Sequence, residues 1–286
     1  MKPLSLFLLV FFLTLNCKAQ QGILFKIKYL PKHSYNSIIH SGLNMEMDFD
    51  GTQQQKDSIK KTGAPFPVIM TAESDINTIA TTGSVNSQKF FPYTLKYVDV
   101  KSKRVVNGEE VNTKSPLVGQ IAYGHTDPDG LAQVDSIPGK TLDDATKKAI
   151  AGTINSVRQQ IKFPDQPIKV GGTFSQEIPL NLPVSGMDMQ MKIRMVYKLI
   201  SITDNKAFFD IDESLSFDMS MVKNETEMIA TGSGKGIGKL IYSITDNYPL
   251  EIDTNLDFDF KMGIKDFKMI AKAKMTMTHK STITSL

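Results

Sequence analysis

The sequence has 286 residues, in which 33 Lys and Arg balance 30 Asp and Glu to a formal net charge of +3 at pH 7. Apolar residues make up 41% and charged residues 22%, which is typical of a folded chain rather than a disordered one. The near-neutral charge gives no basic field for nucleic acid. One Cys and four His exclude multi-cysteine zinc sites, iron–sulfur clusters and a disulfide scaffold.

The first residues have the pattern of a secretory signal peptide. Lys2 precedes an apolar run from Leu4 to Leu15, which is too short to span a bilayer and has the length of a signal-peptide core. The small–any–small tripeptide Cys17-Lys18-Ala19 predicts that residues 1–19 are removed, so that the mature chain starts at Gln20. In the alternative interpretation Cys17 is lipidated and anchors the protein. Both interpretations predict a periplasmic or extracellular protein without a transmembrane span.

Most of the chain after this signal alternates between apolar and polar residues. In Leu43–Phe49 the odd positions are Leu, Met, Met and Phe, and polar residues lie between them. The same alternation recurs in the segments 187–195, 209–221, 252–262 and 267–277. A period of two predicts half-buried antiparallel strands, because a parallel sheet covered on both faces would have continuous apolar runs. We therefore predict a mainly β fold with large antiparallel sheets, as a curved sheet, a half-barrel or a sandwich.

Two segments have the spacing of helices instead. Thr141 is a suitable N-cap, and apolar residues recur at steps of three and four from Leu142 to Ile161, before Pro164. This spacing predicts one bridging helix near 142–161. A shorter helix is predicted over Gln53–Lys61, between turn-forming Gly and Pro residues.

The last two alternating segments predict a hairpin with a definite register. If Phe260 faces Phe267 on the apolar side, Asp259 faces Lys268 on the polar side. Each exposed charge pair contributes only about 0.2–1 kcal/mol, so these pairs favour the register without driving folding. Burial of each large apolar side chain contributes more, about 1.5–3 kcal/mol.

Two sequence blocks occur twice in the same order, which predicts an internal duplication. Gly42–Met47 matches Gly186–Met191, and Gly119–Tyr123 matches Gly238–Tyr242. The predicted parts are a β-rich half A over 20–139, the bridging helix over 140–162 and a β-rich half B over 163–286. The sequence leaves open whether the halves are separate domains or one sheet.

Several of these features together resemble a family of secreted, β-rich proteins of Bacteroidota, whose function is unknown. The resemblance rests on the export signal that ends in Ala19-Gln20, on the Met-alternating strands after Gly42 and Gly186, and on the Gly238–Tyr242 strand with its Asp246 turn. It covers most of the mature chain and implies export and a β-rich fold. It supplies no catalytic residue.

The same resemblance implies two modification candidates. Asp57-Ser58-Ile59 and Asp135-Ser136-Ile137 are similar to the O-glycosylation acceptor of those bacteria. Ser58 and Ser136 are therefore the implied acceptors, and we expect the neighbourhood of Ser58 to be exposed.

Motifs for catalysis and metal binding are incomplete. Gly232–Gly236 lacks two required positions of a phosphate loop, so we interpret it as a bulged or closely packed glycine strand. Asp127 and Asp129 have the spacing that begins a calcium loop, but the later Glu ligand is missing, and Asp-Gly also favours hairpin turns. The chain has no Gly-x-Ser-x-Gly elbow and no His pair with metal-binding spacing on a helix. We therefore predict no cofactor and no catalytic residue; a hydrolase would need His, Asp and Ser to converge in space.

Methionine is the compositional excess, with 15 residues. Most fall at apolar strand positions, where the flexible thioether either fills a core or lines an adaptable cavity. Copper(I) binding is a third interpretation. The candidates for contact with an apolar ligand are Met45, Met47, Met187, Met189, Met191, Phe217, Met219, Phe258 and Phe260.

These patterns favour a non-enzymatic binding protein of the cell envelope with an apolar, lipid-like small-molecule ligand. Its shape would resemble that of periplasmic lipoprotein carriers. The alternative is a structural or interaction module whose acidic strand faces meet an envelope protein, and a hydrolase is a more distant alternative. The acidic positions are Asp210, Asp212, Asp218, Asp253, Asp257 and Asp259.

Overall fold

The computed structural model describes residues 22–61, 63, 66–112, 118–126, 132–138, 161–184, 187–223, 226–264 and 267–286. The strands in these residues are β1 (His33–Phe49), β2 (Val68–Thr82), β3 (Phe91–Val106), β4 (Glu109–Asn112), β5 (Ile121–Thr126), β6 (Ala132–Ser136), β7 (Thr173–Val184), β8 (Met187–Thr203), β9 (Lys206–Lys223), β10 (Thr226–Ser243), β11 (Tyr248–Ile264) and β12 (Phe267–Ser285). The helix among them is α1 (Gln53–Lys61). The predictions of a mainly β fold and of a helix over Gln53–Lys61 are confirmed.

All of these strands belong to one antiparallel sheet. The order along the sheet is β6-β5-β3-β2-β1-β12-β11-β10-β9-β8-β7, and β4 pairs with β3 outside this path. The strands of the first half therefore lie together on one side, those of the second half lie together on the other, and β1 pairs with β12 between them. Within the described residues, β6 and β7 at the two ends do not pair with each other, so the sheet is open.

Three of the predicted features are not tested by these strands. The signal peptide over 1–19 lies outside the described residues, and so does nearly all of the bridging helix near 142–161. The duplication of half A and half B stays a prediction, because adjacent positions in one sheet do not by themselves establish a repeat.

Helix α1 begins with a capping box. The Gln55 N–H donates to Thr52 Oγ1 over 3.3 Å, and the Thr52 N–H donates to Gln55 Oε1 over 2.9 Å. This reciprocal pair satisfies two of the N–H groups that a helix start leaves without partners. An ion pair of 2.8 Å between Lys56 and Asp48 then joins the helix to the end of β1.

Alternation along the strands gives the sheet one apolar face and one polar face. In β1, Met45 and Met47 are buried, whereas Glu46 between them is exposed. Met45 pairs with Ala273 of β12 on one side and with Met70 of β2 on the other, and both are buried as well. We call the side that carries these buried residues the apolar face and the opposite side the polar face.

The middle of strand β10 contributes glycine instead of large side chains to the apolar face. The ring of Phe217 in β9 comes within 2.5 Å of the place where a Cβ on Gly232 would lie. The Cβ of Phe258 in β11 comes within 2.4 Å of the corresponding place on Gly234. The inward glycines of β10 are Gly232, Gly234, Gly236 and Gly238. The interpretation of this stretch as a closely packed glycine strand is confirmed.

We expect Gly234→Ala to lower the free energy of unfolding by about 1–3 kcal/mol, because the added methyl group cannot be placed without displacing its neighbours. It would meet the Phe258 Cβ at 2.4 Å and the Asp257 carbonyl oxygen at 2.7 Å. Gly263→Ala in β11 is the matched control, since no atom lies within 4 Å of a Cβ at that position. Urea denaturation measures both variants, and equal stability of the two would contradict the close packing of β9, β10 and β11.

The hairpin of β11 and β12 differs from its predicted register by four residues. Ile264 pairs with Phe267, and Phe260 therefore faces Ala271; the predicted pair of Phe260 with Phe267 is wrong. The observed register extends the ladder to Ile264 and Phe267 and places an alanine opposite each of Phe258 and Phe260. The shift is even, so every residue keeps the face that its alternation predicts.

The segment Gly22–Leu30 crosses one end of the apolar face without joining the sheet, and we call it the strap. Near its start, Ile23 and Ile168 form an isolated antiparallel bridge with N···O distances of 2.9 and 2.8 Å. Farther along, Phe25 contacts side chains of the second half, and Tyr29 contacts side chains of both halves. The strap therefore crosses the boundary between the two halves of the sheet, where β1 pairs with β12.

Candidate functional site

The described candidates for ligand contact lie together on the apolar face. The buried ones are Met45, Met47, Met191, Phe258 and Phe260. Phe217 is partly buried against the same hydrophobic cluster. The side chains of Met187, Met189 and Met219 lie outside the described part of the structure. The sheet thus brings together candidates that are far apart in the sequence.

Cross-strand pairs arrange these residues in rows of alternating size. One row runs from Met47 of β1 through Ala271, Phe260 and Gly232 to Phe217 of β9. The adjacent row consists of Met45, Ala273, Phe258, Gly234 and Leu215. Each large side chain therefore has a small neighbour in the same row. The thioethers in these rows are flexible and polarizable side chains.

Two grooves with volumes of about 770 and 830 Å³ border the Met and Phe end of the sheet. Most of the side chains that line them belong to the polar face. One polar row of the first groove consists of Ser216, Ser233, Asp259, Lys272 and Glu46. Phe217 and Phe260 of the apolar face also line this groove.

The acidic strand positions lie on the polar face, where lysines of neighbouring strands lie opposite several of them. Asp253 pairs with Lys239, and Asp257 pairs with Lys235 and Lys274. The six positions, all exposed or partly exposed, are Asp210, Asp212, Asp218, Asp253, Asp257 and Asp259. The surface at these strands is therefore mixed in charge rather than acidic, which does not favour recognition by a purely basic partner.

A buried carboxyl group, Glu213, also lies on the apolar face, although it is not among the residues predicted from the sequence. The residue is only 6% exposed, and its Oε2 lies 2.6 Å from the place where a Cβ on Gly236 would be. The carboxyl group thus occupies the space that this glycine leaves. Burial raises the pKa of Glu213 to about 7, and a hydrogen bond with Thr254 of β11 partly offsets this effect. In this buried position the neutral acid form of Glu213 is therefore favoured over the carboxylate, compared with a carboxyl group in water.

A second buried titratable group, His279 of β12, belongs to a short chain of polar side chains. Its Nε2 lies 3.0 Å from Ser281 Oγ, which lies 2.8 Å from Ser37 Oγ in β1. All three residues are buried, and burial lowers the pKa of His279 to about 4. His279 is therefore neutral at physiological pH, and the serine hydroxyls satisfy one of its ring nitrogens.

Two other histidines form exposed pairs with Asp. His40 Nδ1 lies 2.7 Å from Asp75 Oδ1, and His125 Nδ1 lies 2.9 Å from Asp135 Oδ2. Among the residues that the structure describes, no group of three or more His, Cys, Asp and Glu could hold a metal ion. Each pair brings together the His and the Asp that a hydrolase triad needs. In the contacts described for these residues, no third group completes the triad.

The remaining candidates are either exposed or lie outside the described ranges. Ser58 is exposed on α1, where its Oγ donates to the Gln54 carbonyl oxygen over 2.9 Å, and Ser136 is exposed at the end of β6. Asp127, Asp129 and Cys17 lie outside the described residues, so calcium binding and lipidation stay predictions. In the described part of the chain, no helix has both the length and the apolarity to cross a bilayer.

Comparison with known proteins gives no relative in sequence and weak likenesses in structure. No protein-family model matches the chain, and no curated protein matches it. A structure of lipovitellin, titled for its lipid–protein interactions, is 9% identical with a TM-score of 0.45; the match covers 90% of this chain and 26% of that chain, so this chain spans about a quarter of lipovitellin.

Two further solved structures match over most of this chain, at lower TM-scores. The Pseudomonas aeruginosa protein OccK5 is 8% identical with a TM-score of 0.26, and the match covers 87% of this chain and 98% of that chain. The type II secretin GspD of enteropathogenic Escherichia coli is 8% identical with a TM-score of 0.23, over 99% of this chain and 74% of that chain. At these TM-scores we draw no functional conclusion from any of the matches.

Proposed function

We propose that the protein is an exported, non-enzymatic binding protein that holds an apolar, lipid-like ligand against the Met and Phe end of its apolar face. The observation that carries this proposal is the single cluster that the described candidates form. Three strands of one sheet, β1, β8 and β11, contribute these residues, and all of them belong to the same hydrophobic cluster. They are Met45, Met47, Met191, Phe258 and Phe260.

The chemistry of this cluster suits a ligand with a hydrocarbon chain. Thioether side chains are flexible and polarizable, so they follow an irregular apolar surface without a fixed shape. Each methylene group that leaves water contributes about 0.8 kcal/mol, so a chain gains affinity without specific polar contacts. The small residues Ala271, Ala273, Gly232 and Gly234 alternate with the large ones, so that rings and thioethers form a continuous apolar surface.

An envelope location is part of the same proposal and rests on the sequence. Residues 1–19 have the signal-peptide pattern, and the strand motifs resemble secreted proteins of Bacteroidota. Retention of Cys17 would tether the same binding protein to a membrane instead of releasing it.

We expect the purified protein to bind cis-parinaric acid, a fluorescent fatty acid, with a saturable increase in fluorescence, because the polyene chain would leave water for the apolar face. Phe217→Ala should weaken this binding about tenfold, equivalent to about 1.4 kcal/mol, because it removes a ring from the candidate contact surface. Phe217 is suited to this test, since it is only partly buried and its loss disturbs the core less than loss of Phe258.

The control for this titration is Ser216→Ala, an exposed residue adjacent in the chain whose side chain lies on the polar face. Binding should change by less than a factor of about two in this variant. Circular dichroism verifies that both variants keep the β-sheet signal. Equal binding by the two variants, or no saturable binding by the unmodified protein, would overturn the proposed function.

A further inference from the structure

The strap lies at the end of the sheet opposite the Met and Phe end, among strand ends and turns of both halves. Strands β1, β9 and β11 begin at this end, and β2, β8, β10 and β12 end there. The Lys28 N–H donates to the Asn247 carbonyl oxygen over 3.1 Å and so joins the strap to the turn before β11. The Leu286 N–H donates to the Lys32 carbonyl oxygen over 2.8 Å. We call this region the strap end; its segments are residues 22–33, 83–90, 161–172, 203–206, 243–248 and 286.

The charges of the strap end are mostly positive. Its lysines, all exposed or partly exposed, are Lys26, Lys28, Lys32, Lys89, Lys162, Lys169 and Lys206. Its acidic side chains are Asp165, Asp204 and Asp246. Seven lysines against three aspartates leave a surplus of four positive charges, or of three where Leu286 carries a terminal carboxylate. The whole chain has a formal net charge of only +3, so its positive surplus is concentrated at this end.

The strap-end lysines differ from other exposed lysines in their ionic contacts. On the strands, Lys192 Nζ lies 3.2 Å from Glu177 Oε2, and Lys280 Nζ lies 3.2 Å from Glu251 Oε1. Within the described residues, no lysine of the strap end forms an ion pair. Neighbouring charges that are not neutralised add up to a positive potential, which attracts an anionic surface at low ionic strength.

Exposed apolar side chains lie among these lysines. In the strap, Phe25 is buried, whereas Leu24 beside it is 45% exposed. Val85, in the loop before β3, is 48% exposed. Lysine with scattered apolar side chains suits the headgroup region of a bilayer, where ammonium groups meet lipid phosphates and an apolar side chain reaches the acyl boundary.

We propose that the strap end docks on the surface of an anionic phospholipid bilayer. The start of the strap at Gly22 supports this orientation, because Cys17, five residues earlier, is at most about 18 Å away along an extended chain. A lipid on Cys17 would therefore enter the membrane beside the lysines. One acyl chain with a basic surface makes the two signals that stable anchoring needs. The charge and the exposed side chains carry this inference, so it does not depend on the apolar ligand.

Flotation with lipid vesicles tests the docking in Cys17→Ser, to which no lipid can be attached. We expect this protein to bind vesicles of phosphatidylglycerol and phosphatidylcholine, but not vesicles of phosphatidylcholine alone. Sodium chloride at about 0.5 M should release it, because salt screens exposed charges. Equal binding to the two kinds of vesicle, or no binding to either, would overturn the proposal.

Two triple variants in this background separate the strap end from the charge of the whole chain. We expect Lys26→Gln with Lys169→Gln and Lys206→Gln to lower the vesicle partition coefficient at least about tenfold. The matched control removes the same charge from exposed lysines of the polar face, at Lys235, Lys272 and Lys274, and should change it by less than a factor of about two. Equal losses in the two variants would overturn docking through the strap end.

The side chain of Leu24 distinguishes a bilayer from a soluble polyanion, because only the bilayer has an apolar interior. Leu24→Ser should weaken vesicle binding at least about threefold. Ile237→Ser is the matched control, since Ile237 is 69% exposed on β10 outside the strap end, and it should have no effect. Vesicle binding that Leu24→Ser leaves unchanged would assign the lysines to a soluble polyanion and overturn the bilayer.

Binding of cis-parinaric acid without vesicles separates this inference from the proposed function. The lysine triple variant of the strap end should bind the probe as the Cys17→Ser protein does, because the Met and Phe end is unchanged. Probe binding without vesicle binding would overturn the docking alone. Vesicle binding without probe binding would support the docking and overturn the proposed function.

Discussion

At pH 8, Glu213→Gln is expected to be more stable than the unmodified protein by about 2–3 kcal/mol, whereas at pH 4 this advantage should disappear. Burial raises the pKa of Glu213 from its ordinary value of 4.5 to about 7. The folded protein therefore holds the proton more tightly than the unfolded chain does. The stability that the neutral acid contributes is fully present below pH 4.5 and is lost as the pH rises through about 7.

Urea denaturation of both proteins at intervals from pH 4 to pH 8 measures this difference. Asp212→Asn is the matched control, because Asp212 is the preceding residue of β9, is exposed and lies on the polar face. The stability of this control should follow the unmodified protein across the whole range. Parallel curves for Glu213→Gln and the unmodified protein would show that the carboxyl group is not buried as described.

His279→Gln is expected to have the opposite pH dependence. Its effect on the free energy of unfolding should be about 2–3 kcal/mol more stabilising at pH 4 than at pH 8. Burial lowers the pKa of His279 from 6.5 to about 4. The unfolded chain therefore binds a proton that the folded protein resists. The stability that the neutral ring contributes is present above pH 6.5 and is lost as the pH falls through about 4.

The same denaturation series measures this second variant, with His40→Gln as the control on the exposed polar face of β1. In the unmodified protein the slopes from Glu213 and His279 oppose each other between pH 4.5 and 6.5, so they nearly cancel. Each single variant should remove one of these two contributions, so that the free energy of unfolding then changes with pH as the remaining group dictates. A His279→Gln curve that does not rise above the unmodified curve toward acid pH would contradict the neutral, buried ring.

Much of this fold could be predicted from the sequence, because alternation fixes which face each strand residue occupies. Met45, Met47, Phe258 and Phe260 all lie on the predicted apolar side. Strand pairing could not be predicted equally well. The register between Phe260 and its partner was wrong by four residues, since an even shift keeps every residue on its face and the alternation cannot distinguish such registers.

The candidate site was predictable in its apolar part only. Glu213 occupies a position in β9 where the alternation expects an apolar residue, between Ile211 and Leu215. That single exception was the available signal. The Glu213 carboxyl group fills the space over Gly236 because β9 pairs with β10 in this register, and the local sequence does not specify that pairing. The position of the strap likewise depends on contacts of Phe25 and Tyr29 with distant strands.

The proposal that the apolar face holds a ligand is tested most directly by nuclear magnetic resonance of carbon-13 methyl groups in methionine. We predict that the methyl signals of Met45, Met47 and Met191 shift together as cis-parinaric acid is added, and that the shifts saturate with the same dissociation constant as the fluorescence titration. These three thioethers belong to the cluster that would contact the chain of the probe. Methyl signals that stay unchanged while the probe saturates would contradict the proposal.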